Sequence, residues 1–216
     1  MTEILFEDSD ILVCVKPAGY LSEDTESERS LPRVIAQERG TDAIFTVHRL
    51  DREVSGVMVY AKTKAAAAKI SAQVADRSFE KEYLALIEGI PADDEATLND
   101  LLFKDSRKNK SFVVDRKRAG VKEASLSYKT LVKRGGRALV RINLHTGRTH
   151  QIRVQFASRK MPVLGDGKYG SSVRTLEIAL ASHRIKFKHP RTKETVEFSH
   201  MPSGAIWGDI FSSYVG

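Results

Sequence analysis

The sequence predicts an α+β fold: one domain over residues 1–216, with a large mixed, mostly antiparallel sheet flanked by helices and loops. Three observations carry this. Short apolar runs, several rich in β-branched residues, recur along the whole chain and read as strands. Two of them flank Gly135-Gly136, where paired glycines supply the positive φ of a tight antiparallel hairpin. Helical periodicity is confined to a few segments, so strands and helices do not alternate strictly. With 41% hydrophobic residues, a chain of 216 has enough apolar surface for a full core.

In chain order, Ile4-Leu5-Phe6 and Ile11 to Val15 are strands separated by Glu7-Asp8-Ser9-Asp10, and Lys16-Pro17-Ala18-Gly19 stops the second. Ser22 to Ser30 is acidic and Ser-rich, a loop; Ser30 and Pro32 then open a short helix over Leu31 to Glu38. Val57 to Ala61 has the continuous apolar run of a strand buried on both faces. The Ala-rich stretch Lys64 to Asp76, with Ile70 and Val74 four apart, is an amphipathic helix, and Glu82 to Ile87 is a strand ending at Gly89-Ile90-Pro91. Tyr128 to Val132 and Ala138 to Leu144 form the glycine hairpin. Thr149 is placed to cap a helix through about Arg159, with Ile152 and Phe156 on its buried stripe. Ile185 to Lys188 and Thr195 to Phe198 are late strands joined by the turn His189-Pro190-Arg191-Thr192.

Thirty-five Lys and Arg against 28 Asp and Glu give a net charge of +7 and a pI near 9.5, which suits a polyanionic partner but equally describes a basic surface. Cys14 is the single cysteine, which excludes an internal disulfide and a thiolate-rich zinc site. The start lacks a basic leader, and no apolar run approaches the roughly 20 residues that span a bilayer. A soluble, cytoplasmic protein is expected.

Three constellations carry chemistry. Asp51 lies in His48-Arg49-Leu50-Asp51-Arg52-Glu53-Val54-Ser55-Gly56, just before a core strand, where flanking arginines favour an ionised carboxylate able to act as a nucleophile. Read alone, the same residues also describe a surface charge cluster. The second, Leu144-His145-Thr146-Gly147-Arg148-Thr149-His150-Gln151-Ile152-Arg153, joins a strand end, a turn and a helix start dense in anion donors. Arg153 follows the buried Ile152 and can face a cleft or solvent. The third is Tyr83, a strand tyrosine suited to core packing or to stacking on a base.

Together these segments resemble the successive motifs of the RluA-type RNA pseudouridine synthases. HRLDREVSG is similar to that family's His-Arg-Leu-Asp-x-x-Thr-Ser-Gly, KEYLALIEG to its tyrosine-bearing strand, and HTGRTHQIRVQFASRKMPVLGDGKYG to its most extended motif. With Val15 to Gly19 and Phe187 to Pro190, the likeness runs from about residue 3 to residue 200. Val54 stands where threonine is usual, and Ser182-His183 replaces a more common pair. The resemblance implies a catalytic domain with a cleft across its sheet. It also implies that Asp51 is the nucleophile, that Tyr83 contacts the target base and helps remove a proton, and that Arg153 keeps Asp51 charged and oriented. Arg49 would help flip the nucleotide, an event that costs a few kcal/mol of unstacking.

Further RNA contacts are expected from Arg52, Arg148, His150 and Lys168, with Tyr169 alongside, and from Lys108 and Lys110 in a basic hairpin. That hairpin, Lys104 to Lys122, holds eight basic residues against two acidic ones. Asp166, between two glycines, is expected to stabilise a turn. The first family-like strand begins almost at Met1, so no RNA-binding domain is expected ahead of it, and specificity would reside in the domain's own loops.

The expected activity is conversion of specific uridines to pseudouridine in structured rRNA or tRNA, without metal, cofactor, membrane or obligate protein partner. A noncatalytic RNA-binding protein of the same fold is the second reading. A metal-dependent nuclease using His48, Asp51 and Glu53 is the third.

Overall fold

A computed structural model describes the chain except residues 27, 28, 42, 176, 209, 211–213, 215 and 216. In order it contains β1 (Glu3–Glu7), β2 (Ile11–Lys16), α1 (Leu31–Arg39), β3 (Phe45–Thr46), β4 (Ser55–Ala61), α2 (Lys64–Asp76), β5 (Glu80–Glu88), β6 (Glu95–Asp105), β7 (Lys110–Val114), β8 (Val121–Arg134), β9 (Arg137–Leu144), α3 (Gln151–Ala157), a 3₁₀ turn (Gly167–Tyr169), β10 (Leu180–Lys188) and β11 (Thr195–Ser199). Among the described residues there are 11 strands, paired in mixed and mostly antiparallel fashion, and three α-helices, the α+β make-up that the sequence predicts. No helix among the described residues is long and apolar enough to cross a membrane.

The chain divides into two compact units, Met1–Glu82 with Ala181–Pro202, and Tyr83–Leu180 with Ser203–Gly216. In the first unit the strand order is β1-β2-β4-β10, with β3 on β4 and β11 on β10. Asp8 shapes the β1–β2 turn by accepting from the Asp10 and Ile11 amides at 2.8 Å each, an Asx-type turn. β2 and β4 are buried along nearly their whole length, which is why both read as continuous apolar runs. α2 spans the residues its composition predicts because Thr63 accepts from the Ala66 amide at its start. Ile70 and Ala66 enter a core with Val13, Val57, Val59, Phe79, Ile185 and Phe187.

The second unit runs β5-β9-β8-β6-β7. Gly135 and Gly136 have φ of 56° and 72°, as the β8–β9 hairpin requires, and Arg134 faces Arg137 in register. β8 begins at Val121, earlier than expected, because Ala124, Leu126 and Tyr128 alternate inward among Ser, Lys and Glu. β6 has no predicted counterpart; its Glu, Asn and Asp disfavour strand, and it is held by pairing with β7 on one side and β8 on the other. Leu102 and Ala124 cover Val154 of α3 and Tyr169.

Candidate active site

Asp51 lies on a loop clamped from two sides within the first unit. On one side Ser22, 3% exposed, donates from its hydroxyl to the Leu50 carbonyl at 2.9 Å and accepts the Leu50 amide at 3.2 Å. Ser22 is itself held through its carbonyl, which accepts from the Tyr60 hydroxyl at 3.1 Å and the Thr46 hydroxyl at 3.3 Å. On the other side Lys16, fully buried, donates from Nζ to the carbonyls of Pro17 (3.0 Å), Tyr20 (2.8 Å) and Arg52 (3.2 Å). The Gly19 amide reaches the same Arg52 carbonyl at 2.7 Å, and Arg52 Nε returns a bond to the Gly19 carbonyl at 3.1 Å. The Val54 amide closes the turn onto the Asp51 carbonyl at 3.1 Å. The residues on both sides of Asp51 are therefore fixed by backbone hydrogen bonds and by apolar burial of Leu50 and Val54.

Gly56 explains the end of this motif. It has φ of 113° and pairs in parallel with Ser182 of β10, so close that any Cβ would collide with the Ser182 backbone. The unusual Ser182 donates to the Val57 carbonyl at 3.0 Å and so bonds the strand that Asp51 precedes. Burial pushes the Lys16 ammonium down to about 8, against the pull of Asp51 and Glu53, which favour its charge. Lys16 is a site residue that sequence reasoning missed: the segment Lys16 to Gly19 reads as a strand stop and as part of the family likeness, with no role for the lysine itself.

His48 is turned inward. Its Nε2 accepts the Val59 amide at 3.1 Å, its ring lies 5.1 Å from that of Phe79, and burial, with Lys81 a second cause, holds its pKa down to about 3. A nitrogen already accepting a backbone proton is a poor metal ligand, which counts against the nuclease reading. Arg49 is exposed and forks onto Glu23 at 3.1 and 3.2 Å.

In the second unit, Tyr83 is 5% exposed on β5, and Arg153, 2% exposed, lies on the inner side of α3. Arg153 makes a two-pronged ion pair with Asp166, Nε to Oδ2 at 2.6 Å and Nη2 to Oδ1 at 2.9 Å, and its guanidinium lies 5.3 Å from the Tyr169 ring. Asp166 does stabilise its turn, its carbonyl accepting the Tyr169 and Ser171 amides at 3.0 Å each, but its carboxylate serves Arg153. That second role is invisible in the sequence.

The helix start differs from expectation. Thr149 is not the cap; His150 occupies that position in the left-handed region at φ 53°, with no side-chain capping bond. Gln151 organises the turn instead, accepting from the Thr146 hydroxyl (2.7 Å) and the Arg148 amide (3.0 Å) while donating to the Ser125 carbonyl (3.1 Å). His150, expected among the RNA contacts, is 6% exposed and bonds through Nδ1 to the Tyr169 hydroxyl at 2.9 Å. That hydroxyl also accepts the Ser111 amide of β7 at 2.8 Å. Lys110 reaches the Lys168 carbonyl (2.6 Å), Lys168 the Asn109 carbonyl (3.3 Å), and Arg148 the Glu123 carbonyl (2.9 Å), so the basic hairpin is tied to the α3 corner. Lys108 is exposed at its tip.

A fold and motif set of this kind define the RNA pseudouridylate synthase family, whose pattern matches residues 10–158, and the chain belongs to that family. Among its relatives, "Uncharacterized RNA pseudouridine synthase YhcT" of Bacillus subtilis is 33% identical over 204 residues, covering 90% of this chain and 66% of that protein. "Ribosomal large subunit pseudouridine synthase D" of Zymomonas mobilis is 31% identical, covering 93% and 69%. The chain thus spans about two thirds of the length of these relatives. The solved structure of "Human RNA Pseudouridylate Synthase Domain Containing 1" shares the fold, with a TM-score of 0.79 at 23% identity over 94% of this chain and 84% of that one.

Proposed function

We propose that the chain acts as a single catalytic domain, working in the cytoplasm, that isomerises specific uridines to pseudouridine in structured RNA, with Asp51 as the nucleophile. The observation that carries this reading is the double clamp on the Asp51 loop, which holds the backbone around one carboxylate at a rigid strand entrance inside a family motif. Two relatives are named as ribosomal large subunit pseudouridine synthases. Ribosomal RNA of the large subunit is therefore the first substrate to try, and tRNA the second.

The reaction breaks the bond between N1 and C1′, rotates the base, joins C5 to C1′, takes the proton from C5 and leaves one on N1. Electrons and atoms balance without an oxidant. Asp51 either adds to the sugar, assists departure of the base as a glycal forms, or adds to the base. By the family likeness, Tyr83 meets the base and receives or relays the C5 proton, and Arg153 is the cation that keeps Asp51 charged. Arg49, Arg52, Arg148, Lys108, Lys110 and Lys168 would meet phosphates, and His150 would act near them.

The test uses RNA tritiated at uridine C5, where rejoining releases the label. Wild type releases tritium, whereas Asp51→Asn, folded and still binding RNA, lowers release by about a thousandfold or more, as loss of a covalent catalyst does. Release unchanged by the substitution overturns the nucleophile assignment. Absence of release from total rRNA and tRNA by the wild type favours the noncatalytic RNA-binding reading.

A further inference from the structure

The strands β6, β7 and β8 have one face on the α3 core and one face outward. Leu102 and Ala124 alternate inward, so their neighbours turn the other way. The register places Leu101 opposite Val114, and Phe103 opposite both Phe112 and Val121. Five apolar side chains therefore share one outward patch, and none of the five is buried; Phe112 is 37% exposed. Single exposed apolar residues need no explanation, but a contiguous patch does.

Its rim is cationic. Arg118 sits 5.0 Å from the centre of the Phe103 ring and the Lys110 ammonium 5.8 Å from that of Phe112, within a segment, 104–122, of eight basic and two acidic residues. Gly120, at φ 80°, brings the chain back beside Phe103, where a Cβ would stand 3.4 Å from the ring. Aromatic rings with cations lying over them, on a strongly basic hairpin, match a polyanion whose bases are exposed. They do not match an acid-poor apolar protein surface or a neutral ligand. Base-on-aromatic stacking tolerates any base, while the cations meet the phosphates between them.

We propose that this outward face of β6, β7 and β8 is a stacking platform for unpaired nucleotides of RNA, centred on Phe112 and Phe103, with Lys110 and Arg118 on the backbone. The inference rests on the RNA-modifying reading for the identity of the polyanion, but its geometry is independent of Asp51. The platform would select RNA in which a single-stranded stretch adjoins the target, a specificity element built into the domain itself.

The experiment measures binding of the full chain to a 12-nucleotide oligoadenylate and to a 12-base-pair RNA duplex. Oligoadenylate contains no uridine, so binding is separated from catalysis. Phe112→Ala is expected to weaken oligoadenylate binding by about tenfold and leave duplex binding unchanged, the range seen when one stacking aromatic is removed. Phe112→Trp should bind as wild type, with its fluorescence quenched by oligoadenylate and not by the duplex. Arg118→Gln should lower the salt slope of oligoadenylate binding by about 0.7, one phosphate contact on a single strand. The proposal is overturned if wild type does not bind oligoadenylate, if Phe112→Ala binds as wild type or loses both ligands equally, or if Phe112→Trp is not quenched. It is also overturned if the chain sediments as a dimer that Phe112→Ala dissolves, since the patch then covers a second copy. Tritium release by the same preparations reports the synthase reading separately.

Discussion

The loop of Asp51 and the shelf of Arg153 hold opposite charges by opposite means. The loop is fixed through main-chain atoms: Ser22 and Lys16 bond carbonyls and amides at Leu50 and Arg52. The shelf is fixed through side-chain charge, a buried guanidinium locked by a buried carboxylate and overlain by Tyr169. A clamp on main chain tolerates variation in the side chains it positions, whereas a buried ion pair makes each partner indispensable to the other. Substitutions that separate the two strategies should therefore differ in size.

The largest effect on folding is expected at the shelf. Asp166 is 1% exposed and Arg153 2% exposed, so Asp166→Ala strips the buried guanidinium of its two-pronged carboxylate partner. Removing one partner of such a pair costs about 3–5 kcal/mol, measurable by urea denaturation, while replacing both residues with apolar ones of similar volume recovers most of that loss. Equal destabilisation by the single and double replacements would show that the pair does not act as a unit.

The same contrast explains what the sequence disclosed. Asp51, Tyr83 and Arg153 stand out because their motifs are local runs, and α2 because Thr63 and an Ala-rich period lie within one stretch. Ser22 and Leu50 are 28 residues apart, and Lys16 and Arg52 36, so nothing in either neighbourhood announces the other. Asp166 between glycines has the composition of a turn, which it also is; its second role depends on α3 arriving 13 residues earlier in the chain. β6 escaped because its stability comes from two partner strands, and Thr149 looked like a cap because local rules cannot see Gln151 reaching back to Ser125.

Two buried bases near the Asp51 loop make its clamp sensitive to pH at opposite ends. His48 has its pKa held at about 3 against an ordinary 6.5, so between these values the unfolded chain carries a proton that the folded one refuses. Stability therefore falls as pH drops below 6.5 and stops falling on this account near 3; His48→Gln should flatten that limb by several kcal/mol at its lower end. Lys16 has its pKa lowered to about 8 from 10.5, so below 8 both states are protonated and the full cost of burying the charge is present. Between 8 and 10.5 the unfolded chain again holds the extra proton, and stability rises with pH by a contribution that Lys16→Met lacks. Denaturation midpoints of each variant and the wild type, compared across both windows, isolate the two groups. A His48→Gln curve parallel to wild type from pH 6.5 to 3 would refute the neutral, buried imidazole.

The smallest effect on folding is expected from Ser22→Ala, and it bears most directly on the clamp. The hydroxyl serves the Leu50 carbonyl and amide at once, and its removal leaves two buried main-chain groups without that partner, at a cost of about 1–3 kcal/mol. Because Asp51 follows Leu50 directly, the loosened loop samples more positions of the carboxylate. Positioning losses of this kind act on the chemical step, so kcat for tritium release should fall by about tenfold or more while KM changes little. Ser22→Thr, which keeps the hydroxyl, should restore most of kcat if the cavity admits the methyl group. A loss of stability with kcat intact would mean that the main-chain clamp supports the fold without orienting Asp51, and the contrast between loop and shelf would reduce to a difference in packing.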